Sequence, residues 1–316
     1  STLDRSSAAS DVYKRQGRCP EHRTPAQGDD HAPRLRHIIM HVSRCARAPD
    51  LSRCVARPVA ATETTMSTSN KACCTIAPVQ TDYQPKGTYE DIASIKTYVV
   101  GPKDAKKVLL CIYDIFGFWA TTQQGADLLA DSLQVKVIMP DFLRDHPWPI
   151  DGFPPRNEEE GQRLGKWFDT IASIPDRLGD IKNVVAELKS QGVEKIGLYG
   201  FCWGGKIVSL SGDEGTPFVG VAQAHPAFVT PEDAKKVTVP LAFFPSKDEP
   251  KDDVDAYWAN FTQAHPELVE KSRFHHYTDM FHGFGAARAN LKDQDNYFAF
   301  QDLYTRLGDF FKPLLA

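Results

Sequence analysis

GLYGFCWGGKIV, residues 197–208, sets a single cysteine among glycines and between two apolar runs. The run before the cysteine, KIGLYGF at 195–201, is typical of a buried strand, and KIVSL at 206–210 begins a helix. A strand that turns directly into a helix needs small neighbours, because the backbone at such a turn is tight and strained. The stretch therefore predicts a strand–turn–helix unit that presents the side chain of Cys202.

The same pattern with serine is the nucleophile elbow of hydrolases. Gly200 and Gly204 flank Cys202 at the required spacing, and Gly205 lets the following helix approach the sheet. The positive end of that helix points at the sulfur, which favours the thiolate over the thiol. A nucleophilic Cys202 is the prediction, and a buried structural cysteine beside packing glycines is the alternative.

An acid and a histidine follow the cysteine in the chain order of α/β-hydrolases: nucleophile, acid, histidine. Asp248 comes 46 residues after Cys202, just beyond LAFFPS at 241–246, and His282 comes 34 residues later in DMFHGFG. Both follow predicted strands, and ligand sites of open α/β sheets lie at the carboxyl edge. We expect His282 to be the base that activates Cys202 and Asp248 to orient its imidazole.

Neighbouring residues compete for these roles. Glu249, Asp252 and Asp253 could replace Asp248, although we interpret them as caps of a helix that begins near residue 251. His225, before Pro226, ends a predicted strand and is interpreted as structural.

A second turn is expected beside the cysteine. YDIFGFW at 113–119 follows a nearly continuous apolar strand. The backbone N–H groups of Trp203 and Ile115 would then form an oxyanion hole. Asp114 would end the strand close to the cysteine, and capping of the turn and a functional role are equally good interpretations of it.

Strands alternate with helices from residue 97 onward, which calls for a mostly parallel sheet covered on both faces. The predicted strands are 97–101, 107–114, 135–140, 195–201, 218–225, 241–246 and 269–277. The predicted helices lie near 121–133, 157–173, 176–190, after 206 and near 290–311. Residues 141–156 hold four prolines and a glycine and predict an ordered loop or lid.

The first 65 residues differ from the rest of the chain. Residues 1–65 contain ten Arg, one Lys and a single aromatic residue, against seven Arg, nineteen Lys and 32 aromatic residues in 66–316. Such a segment cannot bury enough apolar surface to offset its ordering entropy. We predict a disordered or non-native extension at 1–65 and one domain at 66–316, with Met66 as the start. An Arg-rich mitochondrial presequence from Met40 is the alternative.

Composition excludes several classes of protein. The 316 residues are 41% hydrophobic and 25% charged, as in ordinary globular proteins, and the net charge of −4 argues against a nucleic-acid binder. No apolar stretch approaches the roughly 18 residues of a membrane span. Seven cysteines without metal-ligand spacing fit a reducing compartment.

Five motifs in one order resemble the dienelactone hydrolase family, most closely its eukaryotic, fungal-looking branch. They are GFCWGG, YDIFGF, PDFLR, the Asp after PSK and the histidine of HGFG, within a resemblance that covers about residues 70–316. The resemblance implies an α/β-hydrolase fold and a Cys-His-Asp triad that cleaves small lactones or esters. By position, Cys202 is the nucleophile, His282 the base and Asp248 the acid.

Two departures from the family's pattern concern the activation of the cysteine and the binding of the substrate. The family's bacterial lactone-cleaving enzymes have Glu, which interacts with the cysteine, where this chain has Asp114. They also hold the substrate carboxylate with arginines, and Arg144 and Arg288 lie near the matching places but at different offsets. The resemblance therefore transfers the reaction class better than the substrate.

We expect a cytoplasmic thiol hydrolase, or a mitochondrial one if translation starts at Met40. It would act on a small ester or lactone as a monomer or weak homodimer, without metal or organic cofactor and without nucleic-acid or membrane partners. Arg144 or Arg288 would clamp a carboxylate. The aromatic residues expected to line the site are Phe116, Phe118, Trp119, Trp148 and Trp203. A non-catalytic ligand-binding or thiol redox-sensing protein on the same fold is the alternative.

Overall fold

The computed structural model describes residues 82–316. The extension predicted at 1–65, with its two alternative starts, lies outside the described residues. Within them, one eight-stranded sheet has the order β1-β2-β4-β3-β5-β6-β7-β8. The strands are β1 Thr88–Ile92, β2 Ile95–Val100, β3 Lys107–Ile112, β4 Lys136–Pro140, β5 Lys195–Phe201, β6 Val221–Ala224, β7 Leu241–Phe244 and β8 Arg273–Phe274.

The sheet is mostly parallel, as the alternation of elements predicts. Strands β3 to β8 pair in parallel, whereas β1 and β2 form an antiparallel hairpin that adds to β4. The central strands β3 and β5 read as continuous apolar runs because both of their faces are covered. Seven helices of the described part connect and cover them: α1 Ala120–Leu133, α2 Glu158–Thr170, α3 Ile174–Ser190, α4 Trp203–Ser211, α5 Pro231–Ala234, α6 Lys251–Ala264 and α7 Gln294–Leu315.

Helices lie on both faces of the sheet, and two glycines of β5 show it. A Cβ built on Gly197 would meet Phe311 of α7, whereas one built on Gly200 would meet Val208 of α4. Residues three apart on a strand point to opposite faces, so α7 and α4 cover opposite sides. The prediction of an α/β-hydrolase-like sheet with helices on both faces is confirmed.

Two strand predictions differ from the structure. β8 is a two-residue strand at Arg273–Phe274, because residues 269–271 of the predicted strand belong to a 3₁₀-helix at Pro266–Lys271. β1, with the sequence TYEDI, was not predicted, since four of its five residues are exposed and the apolar alternation of a half-buried strand is missing. Neither difference changes the central strands.

The candidate residues lie together at the carboxyl edge of the sheet, because each follows a parallel strand. β3 ends before Asp114, β5 before Cys202, β6 before His225 and β7 before the 245–250 turn, so all four follow carboxyl ends of neighbouring strands. No helix among residues 82–316 is long and apolar enough to cross a bilayer.

Candidate active site

Cys202 occupies a strained turn between β5 and α4. Its backbone has φ 54° and ψ −120°, a positive φ that is uncommon for a residue other than glycine. The turn is also too tight for side chains at its glycines. A Cβ at Gly200 would lie 2.7 Å from the Gly204 backbone, and one at Gly204 would lie 2.2 Å from the Ile112 carbonyl. This geometry is that of a nucleophile elbow.

Backbone hydrogen bonds fix the elbow to the neighbouring strand. The Cys202 N–H donates to the Ala224 carbonyl at 3.3 Å, and the Cys202 carbonyl accepts from the N–H of Ala227 at 2.9 Å. The nine-residue helix α4 starts directly after the cysteine, so its positive end lies at the sulfur. The thiol itself is partly exposed. It is therefore held rigidly and remains accessible.

His282 connects Cys202 to an acid. A side-chain hydrogen bond joins the Cys202 sulfur to the His282 ring. Nδ1 of the same ring lies 2.6 Å from Oε1 of Glu249, which leaves Nε2 for the sulfur. Glu249 is buried, and both the N–H and the hydroxyl of Ser246 donate to its carboxylate. The three side chains form a continuous Cys–His–Glu relay.

The expectation that Asp248 holds the imidazole is wrong in geometry. Asp248 is exposed, and its Oδ2 accepts a hydrogen bond from the backbone N–H of His282 at 2.7 Å rather than from the ring. Consecutive residues of the turn point in different directions, and the Ser246 donors draw the longer Glu249 side chain inward. Glu249 was also expected to cap a helix, but the N-cap of α6 is Pro250.

The surroundings of His282 favour its charged form. Burial disfavours the imidazolium, but attraction to Cys202 and hydrogen bonds to Cys202 and Glu249 outweigh it and raise the pKa of His282 well above its usual value. A protonated His282 beside the sulfur stabilises a thiolate there by charge. The surroundings of His282 thus favour a positive charge beside the Cys202 sulfur.

The two expected oxyanion donors lie on adjoining turns. The start of α4 packs against the end of β3, since a Cβ at Gly204 would also lie 2.7 Å from the Tyr113 carbonyl. Within residues 82–316, no group accepts a hydrogen bond from the N–H of Ile115 or from that of Trp203. The Ile115 carbonyl accepts from the N–H of Trp148 at 2.8 Å, which fixes the turn from its other side. Both N–H groups are therefore available to an incoming oxygen.

Asp114 was expected either to cap the turn that follows β3 or to take part in the site, and the structure places its side chain inside the protein, where it caps that turn. It is 1% exposed, and its Oδ1 and Oδ2 accept hydrogen bonds from the N–H groups of Phe116 at 3.0 Å and Ala287 at 3.1 Å. Burial raises the pKa of Asp114 to about 6, although these two hydrogen bonds and the nearby positive charges favour its ionised form. The side chain is not available to a substrate.

Most of the aromatic residues expected to line the site are buried. Phe116 packs edge-on against Phe153 at a centroid distance of 6.1 Å. Trp148 donates from its indole N–H to the Gly152 carbonyl at 3.1 Å. Phe118 is partly buried, the Trp203 side chain is fully buried, and Trp119 is 38% exposed. The expected wall is therefore wrong for Phe116, Trp148 and the Trp203 side chain, which belong to the core.

The two candidate arginines differ in position. Arg144 forms a salt bridge of 2.8 Å with Asp180 of α3. Arg288 donates from Nη1 to the His282 carbonyl at 3.1 Å, and its guanidinium lies 5.8 Å from the centre of the Phe281 ring. Arg288 is exposed beside His282, whereas Arg144 is held against α3.

His225 is a buried structural residue, as the sequence interpretation has it, and it packs against the His282 ring. Its ring lies edge-to-face with that of His282 at 5.2 Å and is stacked on Phe201 at 5.5 Å. It is fully buried, and neither ring nitrogen has a hydrogen-bond partner among the described residues. Burial and the charge of His282 lower its pKa well below the usual value, so it remains neutral beside a charged neighbour. Its contact with the His282 ring is a tertiary contact that the sequence did not predict.

The fold agrees with the matches to known proteins. The sequence profile of the Dienelactone hydrolase family matches residues 95–315. The chain belongs to the dienelactone hydrolase family. It is therefore a hydrolase-type protein with the α/β-hydrolase fold, as its motifs predict. In the described part of this family member, no group of three or more His, Cys, Asp or Glu is placed to hold a metal ion.

Three relatives illustrate the range of the family. An uncharacterised AIM2 family protein of Schizosaccharomyces pombe is 34% identical over 242 residues, which cover 75% of this chain and 96% of that protein. A human carboxymethylenebutenolidase homologue is 31% identical over 131 residues, 40% of this chain and 50% of that protein. The solved structure of a candidate dienelactone hydrolase from Klebsiella pneumoniae superposes with a TM-score of 0.56 at 17% identity, over 71% of this chain and 97% of that chain.

Proposed function

We propose that this dienelactone hydrolase family member cleaves small carboxylic esters or lactones through a thioester on Cys202. His282 is the general base and acid, and Glu249 orients and charges its ring. The N–H groups of Ile115 and Trp203 bind the oxyanion. The observation that carries the proposal is the hydrogen-bonded relay from Cys202 through His282 to Glu249, on a strained elbow at the carboxyl edge of the sheet.

Acylation begins from the thiolate–imidazolium pair. The sulfur of Cys202 attacks the carbonyl carbon, and the carbonyl electrons move onto the oxygen, which accepts hydrogen bonds from the two N–H groups. The tetrahedral intermediate collapses and its C–O bond breaks, while the His282 imidazolium gives its proton to the departing alkoxide. From a lactone, the released alcohol remains part of the acyl group; from an open ester, it leaves.

Deacylation returns the enzyme to its starting state. Neutral His282 takes a proton from a water molecule, whose oxygen attacks the thioester carbon. The new intermediate expels the Cys202 thiolate and yields the carboxylic acid. Glu249 keeps the same ring nitrogen directed at the sulfur and the water in both steps, as the acid of a triad does.

The positive charge of Arg288 beside the site favours substrates that carry a negative charge. The guanidinium of Arg288 is exposed next to His282, and its planar donors match a carboxylate. A substrate with a second, non-reacting carboxylate would therefore be favoured over a neutral one. The family name refers to a cyclic ester, so small lactones with an acidic group are the first substrates to try.

Variants of the relay test the proposed function. Hydrolysis of an aryl acetate and of small lactones should fall by about 10³-fold or more in Cys202→Ala and His282→Ala. The double variant should be little worse than either single one, because both groups serve one step. Cys111→Ala is the matched control, since Cys111 is the other cysteine of residues 82–316 and is buried in β3. Full activity of Cys202→Ala would contradict the proposal.

A further inference from the structure

The buried carboxylate of Asp114 joins two loops that are far apart in sequence. Its Oδ1 accepts from the Phe116 N–H at 3.0 Å, within the turn after β3. Its Oδ2 accepts from the Ala287 N–H at 3.1 Å, in the loop that follows His282. The two donors are 171 residues apart, so these bonds are tertiary contacts across the edge of the sheet.

Each of the two loops carries one part of the proposed machinery. The turn after β3 holds the N–H of Ile115, which precedes Phe116 directly. The other loop is braced internally: the Ala286 N–H donates to the Gly283 carbonyl at 3.1 Å, and Arg288 donates to the His282 carbonyl at 3.1 Å. A displacement at Ala287 is therefore transmitted to the base.

We infer that Asp114 is a positioning residue that, as an ionised carboxylate, holds the oxyanion turn and the histidine loop in register. The inference rests on the proposed function. Asp114 touches neither substrate nor sulfur in this role. It acts through the N–H groups of Phe116 and Ala287, so that one side chain sets the spacing between oxyanion donor and base.

An ionised carboxylate can accept hydrogen bonds from both N–H donors, whereas a neutral side chain of the same shape cannot. An ionised Asp accepts hydrogen bonds at both oxygens, whereas an Asn or a protonated Asp has one full acceptor and presents a donor at the other position. Thr121 supplies a second tie to the histidine loop, from its hydroxyl to the Ala286 carbonyl at 2.8 Å, but it starts from α1 and not from the oxyanion turn. Register between the two loops therefore depends on Asp114.

Protonation of Asp114 should change the stability of the protein and the activity of the site in opposite directions. The titratable groups that face it are Cys111 on β3, Tyr304 on α7, and His282 and Arg288 on the histidine loop. Because the pKa of Asp114 is raised to about 6 by burial, the folded protein takes up this proton at a higher pH than the unfolded chain. As the pH falls through about 6, the stability contribution of this group improves, while one of its two hydrogen bonds is lost.

Asp114→Asn tests the inference with two probes, measured beside the wild type at pH 7.5. Affinity for an aryl trifluoromethyl ketone reports the oxyanion donors, and the rate of Cys202 alkylation by iodoacetamide reports the cysteine–histidine pair. We expect kcat to fall about 10- to 100-fold, a part of the roughly 10²–10³-fold cost of removing an oxyanion donor. KM should change less than about threefold, and both probes should weaken together. Unfolding should show no loss of stability, because a buried charge is removed.

Asp127→Asn is the matched control. Asp127 is equally buried, on α1, and accepts from the hydroxyls of Tyr83 and Tyr98 and the N–H of Lys86, away from both loops. It should change the melting temperature and neither probe. If Asp114→Asn does not fold, the wild type carries the test, since its affinity for the ketone should fall between pH 7.5 and 5.

The outcomes separate the two proposals. Wild-type protein that neither hydrolyses esters nor reacts at Cys202 would contradict the proposed function. An active wild type with an Asp114→Asn variant of unchanged kcat, or with only one of the two probes altered, would overturn the inference that Asp114 couples the loops. A ketone affinity that is constant from pH 7.5 to 5 would overturn it as well.

Discussion

Glu249→Gln keeps the size of the side chain and removes the charge that lies 2.6 Å from Nδ1 of His282. A hydrogen bond to a charged group contributes about 1.5–3 kcal/mol, and each 1.36 kcal/mol corresponds to a factor of ten. If the transition state loses this interaction, kcat/KM should fall about 10- to 160-fold. The amide of Gln would also present a donor to Ser246 or to His282, which both already donate to Glu249.

Asp248→Asn is the matched comparison one residue away. Asp248 is exposed and accepts only from the backbone N–H of His282, and an Asn oxygen can accept the same hydrogen bond. We expect a loss of activity below about fivefold, because surface interactions of this kind are worth roughly 1 kcal/mol or less. The two variants therefore separate the acid found in the structure from the acid predicted by chain order.

The assay is the pH profile of kcat/KM for an aryl ester, with melting temperature as the folding control. Glu249 is among the groups that raise the pKa of His282, so its loss should lower that pKa and move the alkaline limb of the profile to lower pH. Asp248→Asn should leave the limb in place. A severe loss in Asp248→Asn together with a nearly normal Glu249→Gln would refute the reasoning and restore the Asp248 assignment.

Two further predictions concern residues around the relay. Arg288→Gln should raise KM for an ester with a second carboxylate at least about tenfold more than for a neutral ester, consistent with a charge-assisted hydrogen bond, whereas Arg144→Gln should raise neither; equal effects of the two variants would contradict the proposed clamp. His225→Phe should stabilise the protein against urea more at pH 5.5 than at pH 7.5. The neutral, buried His225 takes up no proton when the folded state is acidified, so below pH 6.5 the unfolded chain gains about 1.4 kcal/mol per pH unit from this residue alone. An equal difference at both pH values would contradict it.

The elbow could be predicted from the local sequence, because the glycines around Cys202 mark positions where two backbone segments approach too closely for a side chain. The order of strands and helices could also be predicted. Strands such as β3 and β5 are continuous apolar runs, and such runs are typical of a sheet whose two faces are both covered by helices. His282 could be predicted as the histidine beside Cys202, because it follows a strand and lies in a glycine-containing loop.

The choice between Asp248 and Glu249 was not readable in the same way. Adjacent acids in a turn differ by the direction of their side chains, and that direction is set by the donors of Ser246 and by the position of the His282 ring. The role of Asp114 depends on Ala287, 173 residues away, and the role of His225 on a ring contact with His282. Such contacts follow from tertiary packing and have no local signal.

The thioester on Cys202 is the central claim, and rapid-quench mass spectrometry of the protein with an aryl acetate tests it most directly. We expect one acetyl group per chain, on the peptide that contains Cys202, formed as fast as the burst of aryl alcohol and absent from Cys202→Ala. Cys111 should remain unmodified, because it is buried. Steady hydrolysis with no acetyl group on Cys202, or hydrolysis that survives complete alkylation of that thiol, would contradict the account.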